Sequence, residues 1–97
     1  MKTEEELNQL YDDCLNFWGE EEQLKVVQEE CAELIVAISH YLRNRKGSRD
    51  NVIEELADVK LITDQMIRHF GEHEVMNVFD AKSDRTAKKL EKYKEKD

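Results

Sequence analysis

Proline is absent from this 97-residue chain, and its three glycines stand at positions 19, 47 and 71. Nothing obliges the backbone to break except at those places, and a break at each leaves four segments long enough for helices. Inside the segments apolar residues recur at three- and four-residue steps, the period of one helix face. Over residues 4–18 the series is Leu7, Leu10, Tyr11, Cys14, Leu15 and Trp18, with Thr3 and Glu6 set as a capping box at its start. A second helix is predicted from about Glu20 to Arg45 on the stripe Leu24, Val27, Cys31, Leu34, Ile35, Ile38 and Leu42. The segment Lys46-Gly47-Ser48-Arg49-Asp50 reads as a loop, with Asp50 placed to cap the third helix. That helix runs from about Asn51 to Phe70 on Val52, Leu56, Val59, Thr63, Met66 and Phe70. The fourth begins near Glu72 and continues to the C-terminus through Val75, Val78, Phe79, Thr86, Leu90 and Tyr93.

Short connections make neighbouring helices antiparallel, so the expected fold is all-α, an antiparallel four-helix bundle in a single domain spanning 1–97. Leu61, Ile62 and Ile67 fall well off the stripe of the third helix. One small bundle struggles to cover two apolar faces, so completion by a second subunit is expected.

A net charge of −8 argues against binding nucleic acid through its phosphates. The charge is unevenly spread: residues 1–33 hold eleven Asp or Glu against only Lys2 and Lys25, whereas residues 81–97 are net basic. Cys14 and Cys31 both occupy apolar-phase positions and read as small buried hydrophobes in a reducing compartment rather than as a disulfide framework. No apolar run approaches the ~20 residues needed to span a bilayer. A soluble, cytoplasmic protein is expected.

The chemistry lies in carboxylates. Glu30 and Glu33 are one turn apart beside the second apolar stripe, and Glu55 and Asp58 repeat the arrangement on the third helix. If those stripes pack antiparallel, four carboxylates meet across the interface. Like charges so placed repel unless something positive sits between them. An all-oxygen donor set of this size suits a hard cation, Mg²⁺ or Mn²⁺, rather than zinc. With 23 acidic residues in the chain, one such pair would be an ordinary solvated face. Two pairs flanking core stripes on consecutive helices reverse those odds. A di-iron bundle needs a histidine three residues after a glutamate, and no glutamate here has one.

The run Glu29-Glu30-Cys31-Ala32-Glu33-Leu34, then, after a 21-residue interval counted from Glu33, Glu55-Leu56-Ala57-Asp58, resembles the E-E-x-x-E and E-x-x-D signature of the MazG-like, all-α nucleoside triphosphate pyrophosphohydrolases. Trp18-Gly19 followed by Gln23 is similar to the approach to that motif in small phage-type members, and Lys82-x-x-Arg85 is similar to the basic pair on their last helix. The resemblance implies Mg²⁺-dependent cleavage of a nucleotide between its α and β phosphates by a homodimer or dimer of dimers. It implies Glu30, Glu33, Glu55 and Asp58 as metal ligands, with Glu29 or Glu30 left to accept the attacking water's proton. Lys82 and Arg85 would grip phosphate; Lys82 falls in the apolar stripe of its helix, where an ammonium needs an anion or must snorkel. The alternative for this pair is a salt bridge to an acid of the second or third helix.

Trp18 is a candidate for stacking on a base, though a tryptophan closing an apolar face is more often core. Gln23 either reads a base edge or caps the second helix. His40, His69 and His73 read as surface or satisfied histidines. The expectation is an enzyme acting on a standard or modified (deoxy)nucleoside triphosphate in nucleotide-pool housecleaning. Its rival is a catalytically silent helical module that binds a protein partner through its acidic face. The intact carboxylate set favours the enzyme. No P-loop or dinucleotide-binding glycine pattern is present.

Overall fold

The structure is a computed structural model that describes residues 1–96. It holds four α-helices: α1 (Glu4–Trp18), α2 (Glu20–Leu42), α3 (Ser48–Phe70) and α4 (Glu72–Glu95). The Thr3 hydroxyl accepts from the Glu6 amide while the Glu6 carboxylate accepts from the Thr3 amide, so the expected capping box starts α1. Three glutamates in the first turn of α1, and three in that of α2, set negative charge against the positive ends of the helix dipoles.

The turn between α2 and α3 lies earlier than the sequence suggests. α2 stops at Leu42 rather than Arg45, because Asn44 turns left-handed with φ 59°. Gly47 comes next in the left-handed region at φ 74°, a conformation that favours glycine, and α3 starts directly after it. The Ser48 hydroxyl donates to the Arg45 carbonyl at 2.5 Å. Asp50, expected as a cap, therefore sits inside the first turn.

α2 and α3 pair along their length. Partners fall along α3 as they rise along α2, with Glu20 against His69, Gln23 against Gln65 and Glu30 against Asp58, so the two helices run antiparallel. α1 packs on both of them through buried Tyr11. α4 touches α3 alone and buries no residue. Among the described residues no helix is long and apolar enough to cross a membrane. Cys14 and Cys31 are half-buried free thiols.

The seam of α2 is rotated from its expected stripe. Gln23 and Ala37 are buried, whereas Ile35 and Leu42 are 69 % and 74 % exposed. α2 is apolar over more of its circumference than one neighbour covers, and α3 takes the side that carries Gln23, Glu30 and Ala37. On α3, Ile62 lies off the predicted stripe yet is 7 % exposed within the core, while Leu61 is 49 % exposed.

At one end of the structure an ion-pair corner ties the helices together. The Arg68 guanidinium donates to both oxygens of Asp12, through Nε at 2.9 Å and an Nη at 3.0 Å, and lies 3.7 Å from Glu72. His69 Nε2 is 3.1 Å from a Glu20 oxygen, which makes it the satisfied histidine expected. The Arg68 hydrogen bonds, opposed in part by burial, hold the Asp12 carboxyl below the usual carboxylate range. A depressed folded-state pKa contributes stability that is present above the unfolded value, about 3.9 for aspartate, and is lost as pH falls through the folded value. Asp12→Asn should therefore melt below the parent at pH 7, with a difference that holds down to about pH 4 and closes under stronger acid. Thermal melts of both proteins across that range check it; a difference that persists below the depressed pKa would assign the loss to packing.

Candidate metal centre

Midway along the α2–α3 seam the two helices bring acids face to face. Glu30 projects from α2, and Glu55 and Asp58 project from α3 one turn apart. One carboxylate oxygen of each lies within 4.8 Å of the other two, and all three residues are half-buried. Glu55 is within hydrogen-bonding reach of both Glu30 and Glu33. Glu33 is exposed at the rim of the cluster.

Charge balance is missing here. Among the described residues, no ion pair involves Glu30, Glu33, Glu55 or Asp58. Oε2 of Glu30 and Oε2 of Glu55 are sealed from solvent with no hydrogen-bond partner. Buried unsatisfied oxygens are uncommon, and on carboxylates they are costly. Burial, followed by the charges of Glu33, Asp58 and Glu55, holds the Glu30 carboxyl above the usual range. Burial also raises Glu55, helped by Glu33, Asp58 and Glu54. A cation between the helices would meet the orphaned oxygens and the repulsion together. The donor set fits a divalent ion of the hard, oxygen-seeking kind.

The cluster separates two hollows. On the side toward α1 lies a cavity of about 200 Å³ to which Glu30 and Asp58 contribute, along with Tyr11, Cys14, Gln23 and Gln65. On the other side a cleft is lined by Glu33, Glu55, His40 and Asn51. Gln23 does not cap α2: it is buried, and its Nε2 donates to Gln65 Oε1 at 2.9 Å. Glu29 is exposed on α2 outside the cluster. Trp18 is exposed and meets Phe17 edge-to-face, with ring centroids 5.3 Å apart. Lys82 and Arg85 are exposed on α4 and make no ion pair among the described residues. Lys82 lines a separate apolar cleft with Phe70, Val75 and Phe79.

Sequence reasoning misses Gln65, which lies off the predicted α3 stripe, as does its neighbour Ile62.

Raised carboxyl pKa values carry a sign for stability. The folded state binds protons more tightly than the unfolded one, so stability falls as pH rises from the ordinary glutamate value of about 4.3 through the raised ones. In chelator, Glu30→Gln and Glu55→Gln should each melt above the parent at pH 7, and the gain should shrink toward pH 4. Variants that melt lower at pH 7 would mean that the charge has a cationic protein partner instead.

The chain matches no family model, no curated protein and no solved structure.

Proposed function

We propose that this chain is a Mg²⁺-dependent nucleoside triphosphate pyrophosphohydrolase that releases a nucleoside monophosphate and pyrophosphate. One observation carries the reading: the Glu30 and Glu55 oxygens face each other across the seam without a proton donor or a protein cation. The MazG-like spacing of the four acids supports it.

In this reading Glu30, Glu33, Glu55 and Asp58 hold Mg²⁺, with Mn²⁺ as a substitute. When bound, the ion supplies charge neutralisation for the triphosphate and a lower pKa for the attacking water. The water's proton goes to a carboxylate of α2. Glu30 suits that task better than Glu29, because it lies in the cluster and its surroundings favour the protonated form. Lys82 and Arg85 serve the phosphates, and their freedom from ion pairs among the described residues is consistent with an anionic ligand.

Completion of the bundle belongs to the same proposal. Ile35 and Leu42 on α2, and Val78 and Phe79 on α4, are exposed apolar residues that a second copy would cover. Sedimentation at micromolar concentration should give a mass that is a multiple of the 11.5 kDa chain. A monomer at that concentration ends the oligomer proposal. The rival, a silent module that docks a protein partner through its acidic face, is separated from an enzyme by turnover.

The function is tested with a panel of standard and modified triphosphates in Mg²⁺, scored for pyrophosphate against orthophosphate. Pyrophosphate should be the primary product. Loss of an outer-shell group around a metal already costs ~10–100-fold, so Asp58→Asn, which removes a proposed ligand, should cost at least that. The parent should also gain about 2.7 kcal/mol of stability at a Mg²⁺ concentration a hundredfold above its Kd, and the variant should gain less. Orthophosphate as the primary product, or turnover unchanged in Asp58→Asn, overturns the reading.

A further inference from the structure

Beside the carboxylates, two uncharged polar side chains are buried where a core would ordinarily be apolar. Gln23 and Gln65 are 6 % and 5 % exposed, and both line the cavity between α1 and the α2–α3 seam. Leu10, Tyr11, Val26 and Ile62 supply apolar and aromatic wall around them. Their mutual hydrogen bond uses Gln23 Nε2 and Gln65 Oε1. Among the described residues Gln23 Oε1 and Gln65 Nε2 have no hydrogen-bond partner, yet neither is among the atoms sealed from solvent. Their remaining contact with space is therefore the cavity that the two residues line. The cavity wall thus offers one acceptor and one donor side by side.

We infer that this cavity seats the base of the nucleotide, that it takes a one-ring base, and that the Gln23–Gln65 pair reads the base's hydrogen-bonding edge. The inference rests on the pyrophosphohydrolase reading and adds the class of substrate. A volume of about 200 Å³ is below the ~300–1,000 Å³ of sites that take whole drug-sized ligands, so it suits one planar ring of a larger molecule. Gln23 lies seven residues before Glu30, and Gln65 seven after Asp58, so the amides sit about 10 Å along the seam from the acids at 1.5 Å per residue. That span is of the size needed to seat a base ring and its sugar between the amides and a phosphate held at the acids.

The pairing of two amides has a further property. If both side chains turn over together, Gln65 donates to Gln23, and the acceptor and donor facing the cavity exchange places. Uracil and thymine present a donor at N3 beside an acceptor at O4; cytosine presents an acceptor at N3 beside a donor at N4. The two arrangements of the pair answer these two edges. The site therefore accepts uracil, thymine and cytosine nucleotides alike and rejects purines by size.

The test uses the full chain with Mg²⁺ and compares kcat/KM for dCTP, dUTP, dATP and dGTP. The two pyrimidine nucleotides should agree within about tenfold, and each should exceed both purine nucleotides by about a hundredfold or more. Gln65→Leu leaves Gln23 unpaired in a buried place, so the double variant Gln23→Leu/Gln65→Leu, which keeps a matched apolar pair, is measured with it. In both variants kcat/KM for dCTP and dUTP should fall about tenfold or more, mainly through KM, while dATP and dGTP, kept out by the size of the cavity, stay at their parent values; a merely structural role would lower all four substrates together. A second measurement does not depend on turnover: the side-chain amide resonances of Gln23 and Gln65 are tracked by NMR in chelator. They should shift with dCMP and dUMP and stay in place with dAMP and dGMP. Purine nucleotides cleaved as fast as pyrimidines overturn the inference and leave the pyrophosphohydrolase reading standing. If no triphosphate yields pyrophosphate, that reading falls, and the amide titration alone decides what the cavity binds.

Discussion

Polar side chains occupy the centre of the contact between α2 and α3, and the rest of the molecule is arranged around that fact. A helix pair of this length is ordinarily held by interlocking aliphatic residues. Here the seam carries a glutamine pair, then facing acids, then Ala37, whose small side chain is buried between the helices. The acids weaken the pairing when nothing lies between them, since burial and mutual repulsion both disfavour their charged forms. The two helices are held opposite each other by the tight turn at Gly47, the burial of Ala37, Ile62 and Met66, and the His69–Glu20 contact. The fold keeps the acids together, and the acids give nothing back until they are neutralised.

What can be read from the sequence divides along physical lines. Helix ends governed by neighbouring residues are legible: the Thr3–Glu6 box and the breaks at Gly19 and Gly71 are local events. Three of the four carboxylates are legible too, because helical periodicity brings Glu30 opposite Glu55 and Asp58 once α2 and α3 run antiparallel, while Glu33 stays exposed. The face of α2 that meets α3 is not. Leu24, Ile35, Ile38 and Leu42 outweigh Gln23 and Ala37 on any hydrophobicity count, and only the shape of the partner decides otherwise. Gln65 stays hidden because a buried glutamine looks like a surface one until its partner, 42 residues away, is in view. The start of α3 moves because a left-handed Gly47 and the Ser48 hydroxyl close the turn before Asp50 is reached.

The surplus of apolar surface has a single origin. α2 is hydrophobic on more sides than one neighbour can cover, and α4 is amphipathic with only α3 for company. A helix with that pattern is usually sandwiched. The polar seam and the uncovered faces go together: the side of α2 turned toward α3 carries Gln23 and Glu30, and aliphatic residues such as Ile35 and Leu42 lie exposed on its outer flank.

The junction at Gly71 sets the reach of the last helix. Its φ of 132° favours glycine, and a Cβ there would stand 3.3 Å from a Glu74 oxygen. This backbone conformation, the Arg68–Glu72 contact and the packing of α4 against α3 set where α4 points. α4 is a stiff rod, so Lys82, eleven residues along, lies about 16 Å from that pivot. Turning the rod by about 10° carries Lys82 through about 3 Å, about the length of one hydrogen bond. Gly71 is thus the fulcrum of a lever: a residue with no side chain governs where the basic pair arrives.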